Sequence, residues 1–255
     1  MTAPHQAYGL RSTLYRPLSD SGVRRIADAA FRILEESGMA VYSKTARAAR
    51  LASAAEPDRV SERLRFPRAM VEDAVAANPS HITLHSRNPE WDVHLEDSRV
   101  HYGTGGTAIY VLDPVTGEHR PSTLDDVALN ARMVENLENI HLFTINVFPN
   151  EIDEKHDIDV NRFFHSLNNT RKHVMGGIYS LDGCQDVVAM CEHIAGGADA
   201  LREKPFVSFI TLIISPYKID DTYGEMTCFL AGKGLPVVVP TEPICGTTSP
   251  ITLAG

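Results

Sequence analysis

Four apolar, β-rich runs constrain the fold more than any other feature of this 255-residue chain. They are HLFTINVF from His141, HVMGGIYS from His173, FVSFITLIIS from Phe206 and PVVVPTEPI from Pro236. They recur about every 30 residues, near the spacing that eight units give a barrel of roughly 250 residues. Helix-like segments lie between them at 157–168, 183–195 and 219–231. The runs are nearly continuous in apolar residues, the pattern of parallel strands covered on both faces. Alternation of β and α at this period predicts an α/β domain.

Residues 1–121 have a different rhythm. Positions 21–37 read as an amphipathic helix with Val23, Ile26, Ala27, Ala30 and Leu34 on one stripe, stopped by Gly38. A second helix starts at Pro67, buries Met70, Val71, Ala74 and Val75, and ends at Asn78-Pro79. Short extended runs follow: HITLHS, WDVHLED, VHYG and AIYVLD. The last meets the turn signal DPVTGEHRP, which predicts an antiparallel β-hairpin region. Thr123-Leu-Asp-Asp126 resembles a capping box with Asp in place of Glu, opening a helix to about Asn139.

The predicted fold is α/β: an incomplete TIM-type (β/α) barrel over 122–255, preceded by an N-terminal α+β extension with a β-hairpin over 1–121. Four βα units are clear, and the Val100 region is a candidate fifth. In the closing SPITLAG, Ser249-Pro250 suits the N-cap and first residue of a further helix. A half-barrel leaves open sheet edges and apolar faces, so a homo-oligomer or a separately encoded second half is expected to cover them.

The formal charge of -9 argues against a general nucleic-acid binder, which needs a basic face. The N-terminus has no apolar signal-peptide core, and no apolar run approaches membrane-spanning length. Cys184, Cys191, Cys228 and Cys245 form no C-x-x-C pair, so reduced thiols in a cytoplasmic protein are expected.

Gly103, Gly105 and Ala108 fit G-x-G-x-x-A, a form of the dinucleotide fingerprint. A phosphate loop must open a helix, whereas AIYVLD and a turn follow here, so the glycines serve tight turning or close backbone approach. In a parallel barrel, reactive groups stand at the C-terminal strand ends. That singles out Asn146, Phe148, Asn150 and Glu151 after the first run, then Tyr179 and Ser180, Ser215 and Tyr217, and Thr241, Glu242 and Cys245. Asn146 and Glu242 stand out, because each follows a strongly apolar strand and is costly to bury alone. His156 and Asp157 invite a metal or general-base reading, but H-E-x-x-H is absent and a solvated polar loop accounts for them. Cys184 and Cys191 lie two helical turns apart and read as buried small side chains, while His141 and His173 precede strands at the face that serves stability.

LEESGMAVYS, VHYGTGGTAIYVLDPVTGEHRPSTLDDV and PICGTTSPITLAG together resemble the trimethylamine methyltransferase family, which includes glycine betaine methyltransferases. The resemblance covers nearly the whole chain but only about the N-terminal half of such proteins. It implies a (β/α)8 barrel with an N-terminal extension. It also implies methyl transfer from a methylated amine to a corrinoid (cobalamin) carried by a partner corrinoid protein. The pyrrolysine of some members lies beyond the region resembled, so the subgroup stays open. Tyr102, Phe148 and Tyr179 are then candidates to bind a quaternary ammonium by cation–π attraction. Glu242 would add charge, and Asn146 or His156 would hold a substrate carboxylate. No protein nucleophile or metal is required. Two other readings stay open: a truncated non-catalytic fragment that acts only with, or has lost, a second half, and a different barrel enzyme such as a lyase.

Overall fold

The computed structural model describes residues 10–11, 15–58, 61 and 63–252. The expectations about the first nine residues and the last three, including most of a helix after Ser249, lie outside these. The chain forms two compact units, each discontinuous in sequence.

One unit gathers residues 13–80, 211–229 and 239–255. Helix α1 (Asp20–Arg32) is capped by Ser19, whose hydroxyl accepts from the Gly22 N–H at 3.2 Å, and it runs on through a π-turn at Ile33–Ser37. Gly38 stops it at φ +62°, as the sequence predicts. Of the expected apolar stripe only Leu34 packs against the core: no residue of α1 is buried, and Val23 and Ile26 are more than half exposed. Helix α2 (Lys44–Ala52) was not expected from its Arg-rich sequence and is capped by Ser43. Helix α3 (Arg68–Ala76) begins after Pro67, but Ala74 and Val75 are exposed and only Met70 and Val71 pack inward. The core here is small, built from Val41, Ala46, Ala55, Leu64 and Phe66, which explains why short helices leave apolar faces uncovered.

The other unit holds residues 1–12, 81–210 and 230–238. Antiparallel pairs join Ile82–Leu84 to Val93–Leu95 and Tyr110–Leu112 to His119–Pro121, as the hairpin signals predict. In the second hairpin the Asp113 carboxylate accepts the Val115 and Thr116 N–H groups at 2.9 and 3.0 Å. These bonds and Arg120 hold its pKa down at about 2.

The four apolar runs form one parallel sheet: β1 (Leu142–Thr144), β2 (His173–Gly177), β3 (Val207–Ile210) and β4 (Val237–Val238), in that spatial order. The register pairs Thr144 with Met175, Gly176 with Phe209, and Ile210 with Val238. Helices α4 (Leu124–Glu135), α5 (Lys155–Asn169) and α6 (Leu181–Ala195) follow the predicted alternation, with a short α7 (Ala198–Glu203) added; α8 (Asp221–Gly232), most of which belongs to the first unit, precedes β4 in sequence. Helix α4 stops at Glu135, earlier than expected; at its start the Asp126 carboxylate accepts the Thr123 N–H at 2.9 Å.

Along β1 and its continuation, Phe143, Ile145 and Val147 are buried, while Leu142, Thr144, Asn146 and Phe148 are half-buried. The buried set faces the helices: a Cβ on Gly176 would meet Phe163 of α5 at 2.7 Å and Ile145 at 2.8 Å. The face away from the helices is only half-buried along β1, and along β2 it is half-buried at Met175 and Gly177 but fully buried at His173, so the expected cover on both faces is incomplete. Among the described residues the sheet is open, with no closed barrel.

At the N-terminal end of β2, fully buried Lys172 donates to the Val134, Leu137 and Ile140 carbonyls at 2.6–2.7 Å and lies 3.8 Å from the Trp91 ring centroid. It thereby satisfies carbonyls at the end of α4 and in the turn after it. Burial pushes the ammonium down to about 8. Lys172→Met is expected to cost about 2 kcal/mol, since losing three charge-assisted bonds is partly offset by removing a buried charge. Urea unfolding followed by circular dichroism measures this, and an unchanged midpoint would sink it.

Candidate functional site

The site is built where the parallel strands of this unit end. The segment carrying GTGGTA lies along the free edge of β1 in parallel sense, bridging Gly103 to Leu142 and Ala108 to Val147. The Ala108 N–H donates to Asn146 O at 2.8 Å, and the Phe148 N–H to Ala108 O at 2.9 Å. This supports the Val100 region as a fifth strand-like element. Only Gly103 serves close approach, since a Cβ there would stand 3.0 Å from Leu142, whereas a Cβ on Gly105 or Gly106 would meet nothing within 4 Å. A strand follows them, so no phosphate loop is formed.

At the C-terminal ends of β1 and β2, Phe148 and Tyr179 come together, with Asn146 two residues before Phe148 on the continuation of β1, and all three are half-buried. The Phe148 and Tyr179 rings meet edge to face at 6.1 Å and 65°. The Asn146 side-chain oxygen accepts from Asn130 of α4 at 3.2 Å. Two residues of α5 that the sequence reading missed complete the group. Asp159, fully buried, accepts the Tyr179 N–H at 3.0 Å, the Ser180 N–H at 2.9 Å and the Ser180 hydroxyl at 2.8 Å. Arg162, also fully buried, donates from Nη1 to the Tyr179 hydroxyl at 2.9 Å and from Nη2 to Thr107 at 3.3 Å. Desolvation raises the Asp159 pKa to about 6, against the pull of its donors and of Arg162. A charged pair three residues apart on α5 was the available signal, but a polar helix face ordinarily reads as solvated.

The remaining candidates lie elsewhere. Tyr102 stands at the other end of β1, where its carbonyl accepts the His141 N–H at 2.7 Å, and its side chain is about half exposed. It forms no cage with Phe148 and Tyr179, because its segment runs parallel to β1 and only its far end reaches Phe148. Glu242 belongs to the other compact unit and is exposed. Asn150 and Glu151 brace the backbone: Asn150 donates to Ile109 O at 2.8 Å, and Glu151 accepts the Leu124 N–H at the start of α4 at 2.7 Å. Cys184 and Cys191 are buried as expected, and burial pushes both thiols up to about 12. His173 is buried, donating from Nδ1 to His85 O at 2.7 Å and accepting the Ser208 hydroxyl at 2.9 Å, and burial pushes it down to about 4.

His156 sits on the α5 surface between Asp157 and Asp186, each 2.9 Å away. Among the described residues, no three His, Cys, Asp or Glu side chains are grouped to hold a metal ion. The Asp186 and Asp157 carboxylates raise the His156 pKa to about 9. A raised histidine pKa stabilises the fold fully below its ordinary value of 6.5, and the contribution is lost as pH rises through about 9. An NMR titration of His156 is expected to give a midpoint near 9 and a lower one in Asp186→Asn; identical midpoints in both proteins would contradict the pairing.

A helix-backed parallel sheet with polar and aromatic groups at its C-terminal strand ends defines an α/β protein of the type that places small-molecule sites there. The trimethylamine methyltransferase (MTTB) family matches residues 3–255, and the chain belongs to that family. It is 31% identical over 241 residues to the trimethylamine methyltransferase MttB of Desulfitobacterium hafniense strain DSM 10664 / DCB-2, covering 93% of this chain and 48% of that protein. It is 28% identical over 248 residues to the glycine betaine methyltransferase of Desulfitobacterium hafniense strain Y51, covering 94% and 50%. Against the trimethylamine methyltransferase MttB1 of Methanosarcina mazei it is 25% identical over 241 residues, covering 91% and 48%. The chain thus spans about half the length of the curated relatives it matches. Among the described residues, no helix is long and apolar enough to cross a membrane.

Proposed function

We propose that this chain is the N-terminal half of a methyltransferase that moves a methyl group from a methylated amine to a corrinoid carried by a partner protein in the cytoplasm. Family membership over residues 3–255 carries the reading. In it, residues 122–255 are the first half of a (β/α)8 barrel and 1–121 its extension. The strand order β1-β2-β3-β4, without the reversal of a doubly wound sheet, supports this. The partner's corrinoid supplies the reduced cobalt nucleophile, so no nucleophile is asked of this chain. Its residues would bind and orient the amine and exclude water.

Phe148 and Tyr179 would offer ring faces to a methylammonium group, which has charge but no N–H on a quaternary nitrogen. Asn146 would hold a polar group of the substrate. A second half, separately supplied or joined, completes the site in this reading, and without it the chain is a non-catalytic fragment; the approximately half-length match to the relatives supports that arm. Calorimetric titration with trimethylammonium chloride and glycine betaine tests the site. Binding of one of them, weakened about tenfold by Phe148→Ala, is expected; that loss is about 1.4 kcal/mol. Binding that Phe148→Ala leaves unchanged would remove these strand ends from the reading.

A further inference from the structure

We propose that Asp159 and Arg162 are positioning residues that together fix the Tyr179 ring at the strand ends; this rests on the amine-binding reading above. The two lie three residues apart on α5 and so share one helix face. Asp159 takes the backbone end of the tyrosine, accepting its N–H at 3.0 Å and the next residue's N–H at 2.9 Å. Arg162 takes the other end, donating to the hydroxyl at 2.9 Å with its guanidinium carbon 5.3 Å from the ring centroid. The residue is therefore held at its backbone by Asp159 and at its hydroxyl by Arg162, with the Phe148 ring centroid 6.1 Å away.

The cost of the arrangement supports a fixing role. Arg162 is fully buried, its Nη2 contacts are long, at 3.3 Å to Thr107 and 3.4 Å to Ile145 O, and its Nε is buried without a hydrogen-bond partner. For stability alone, an apolar side chain of similar volume serves as well or better than a buried charge. The carboxylate is itself pinned: a Cβ on Gly183 would stand 2.8 Å from Asp159 Oδ2, so the first turn of α6 packs directly on it. Cation–π attraction depends on the cation lying over the ring face within about 6 Å, so a wandering ring forfeits it. Fixing the ring before the ligand arrives removes that ordering cost from binding.

The test uses the full chain with tyrosine rings carbon-13 labelled, observed by NMR, and a double-substitution cycle on binding of tetramethylammonium chloride and glycine betaine. In the unaltered chain the two sides of the Tyr179 ring are expected to give separate signals, which Arg162→Met merges. Arg162→Met and Tyr179→Phe are each expected to weaken probe binding about tenfold, and the pair to weaken it no more than either alone. Should Arg162→Met fail to fold, Arg162→Lys keeps the buried cation and is expected to merge the ring signals with a several-fold loss of affinity. Unchanged ring signals in a folded variant, or a roughly hundredfold multiplicative loss in the pair, would overturn the proposal. If neither probe binds the unaltered chain, alone or mixed with the second half, the amine-binding reading fails, and the ring signals alone then decide whether Arg162 positions Tyr179.

Discussion

Asp159→Ala is expected to lower the unfolding free energy at neutral pH by about 3–4 kcal/mol. The substitution leaves the Tyr179 and Ser180 N–H groups without their acceptor and strips the carboxylate from beside a buried guanidinium. Asp159→Asn behaves differently, because an amide oxygen keeps part of the acceptor role. Its expected cost is below about 1.5 kcal/mol. The pH dependence separates the two effects. Burial raises the Asp159 pKa from 3.8 to about 6, so the folded state favours the protonated acid. That contribution is fully present below the unfolded pKa and is lost as pH rises through about 6; by linkage it amounts to about 3 kcal/mol. Subtracting the Asp159→Asn urea curves from those of the unaltered chain between pH 3 and 8 isolates it. A difference that slopes the other way would show that the donors, not desolvation, govern this carboxyl, and a flat one that the two cancel.

Gly38→Ala carries the second large effect, about 3 kcal/mol. At φ +62° and ψ -165° the backbone is in a region reserved for glycine. The added Cβ would stand 2.1 Å from Leu64 O, a backbone atom that cannot swing aside. Leu64 is fully buried in the small core of its unit, so relief by backbone movement disturbs that core as well. Gly117→Ala is the control, since it too has positive φ, +71°, but meets nothing within 4 Å. The control is expected to cost about 1 kcal/mol, the conformational penalty alone. Equal thermal shifts for the two variants would mean that the contact with Leu64 contributes nothing.

The parallel sheet was legible because strands buried against helices appear as unbroken apolar runs, and the helix before the first of them carried its own cap at Thr123. The turn at Asp113 and the stop at Gly38 were legible for the same reason: each needs a residue type that few others can replace. Helix α2 was not, since KTARAARLA buries only Ala46 and shows no apolar stripe. The stripe on α1 misled, because periodicity records amphipathicity and not what covers the face. The candidate site was read in part. Asn146, Phe148 and Tyr179 follow apolar strands and could be placed at their ends. Asp159 and Arg162 could not, because buried charges on a helix look in sequence like a solvated face. The position of Tyr102 was also hidden: nothing in GTGGTA tells which way the segment runs along β1.

The methyl-transfer assay tests the central claim most directly. The chain and a corrinoid partner protein, with the cobalt reduced, are mixed with trimethylamine or with glycine betaine, and methylation is followed by the corrinoid absorbance. The assay is run with and without the half of the Desulfitobacterium hafniense MttB relative that this chain does not cover. Methylation from one of the two donors when both halves are present, lost in the Phe148→Ala chain, is the predicted result. No methylation from either donor with both halves folded and the corrinoid reduced, while the intact relative succeeds, would contradict it.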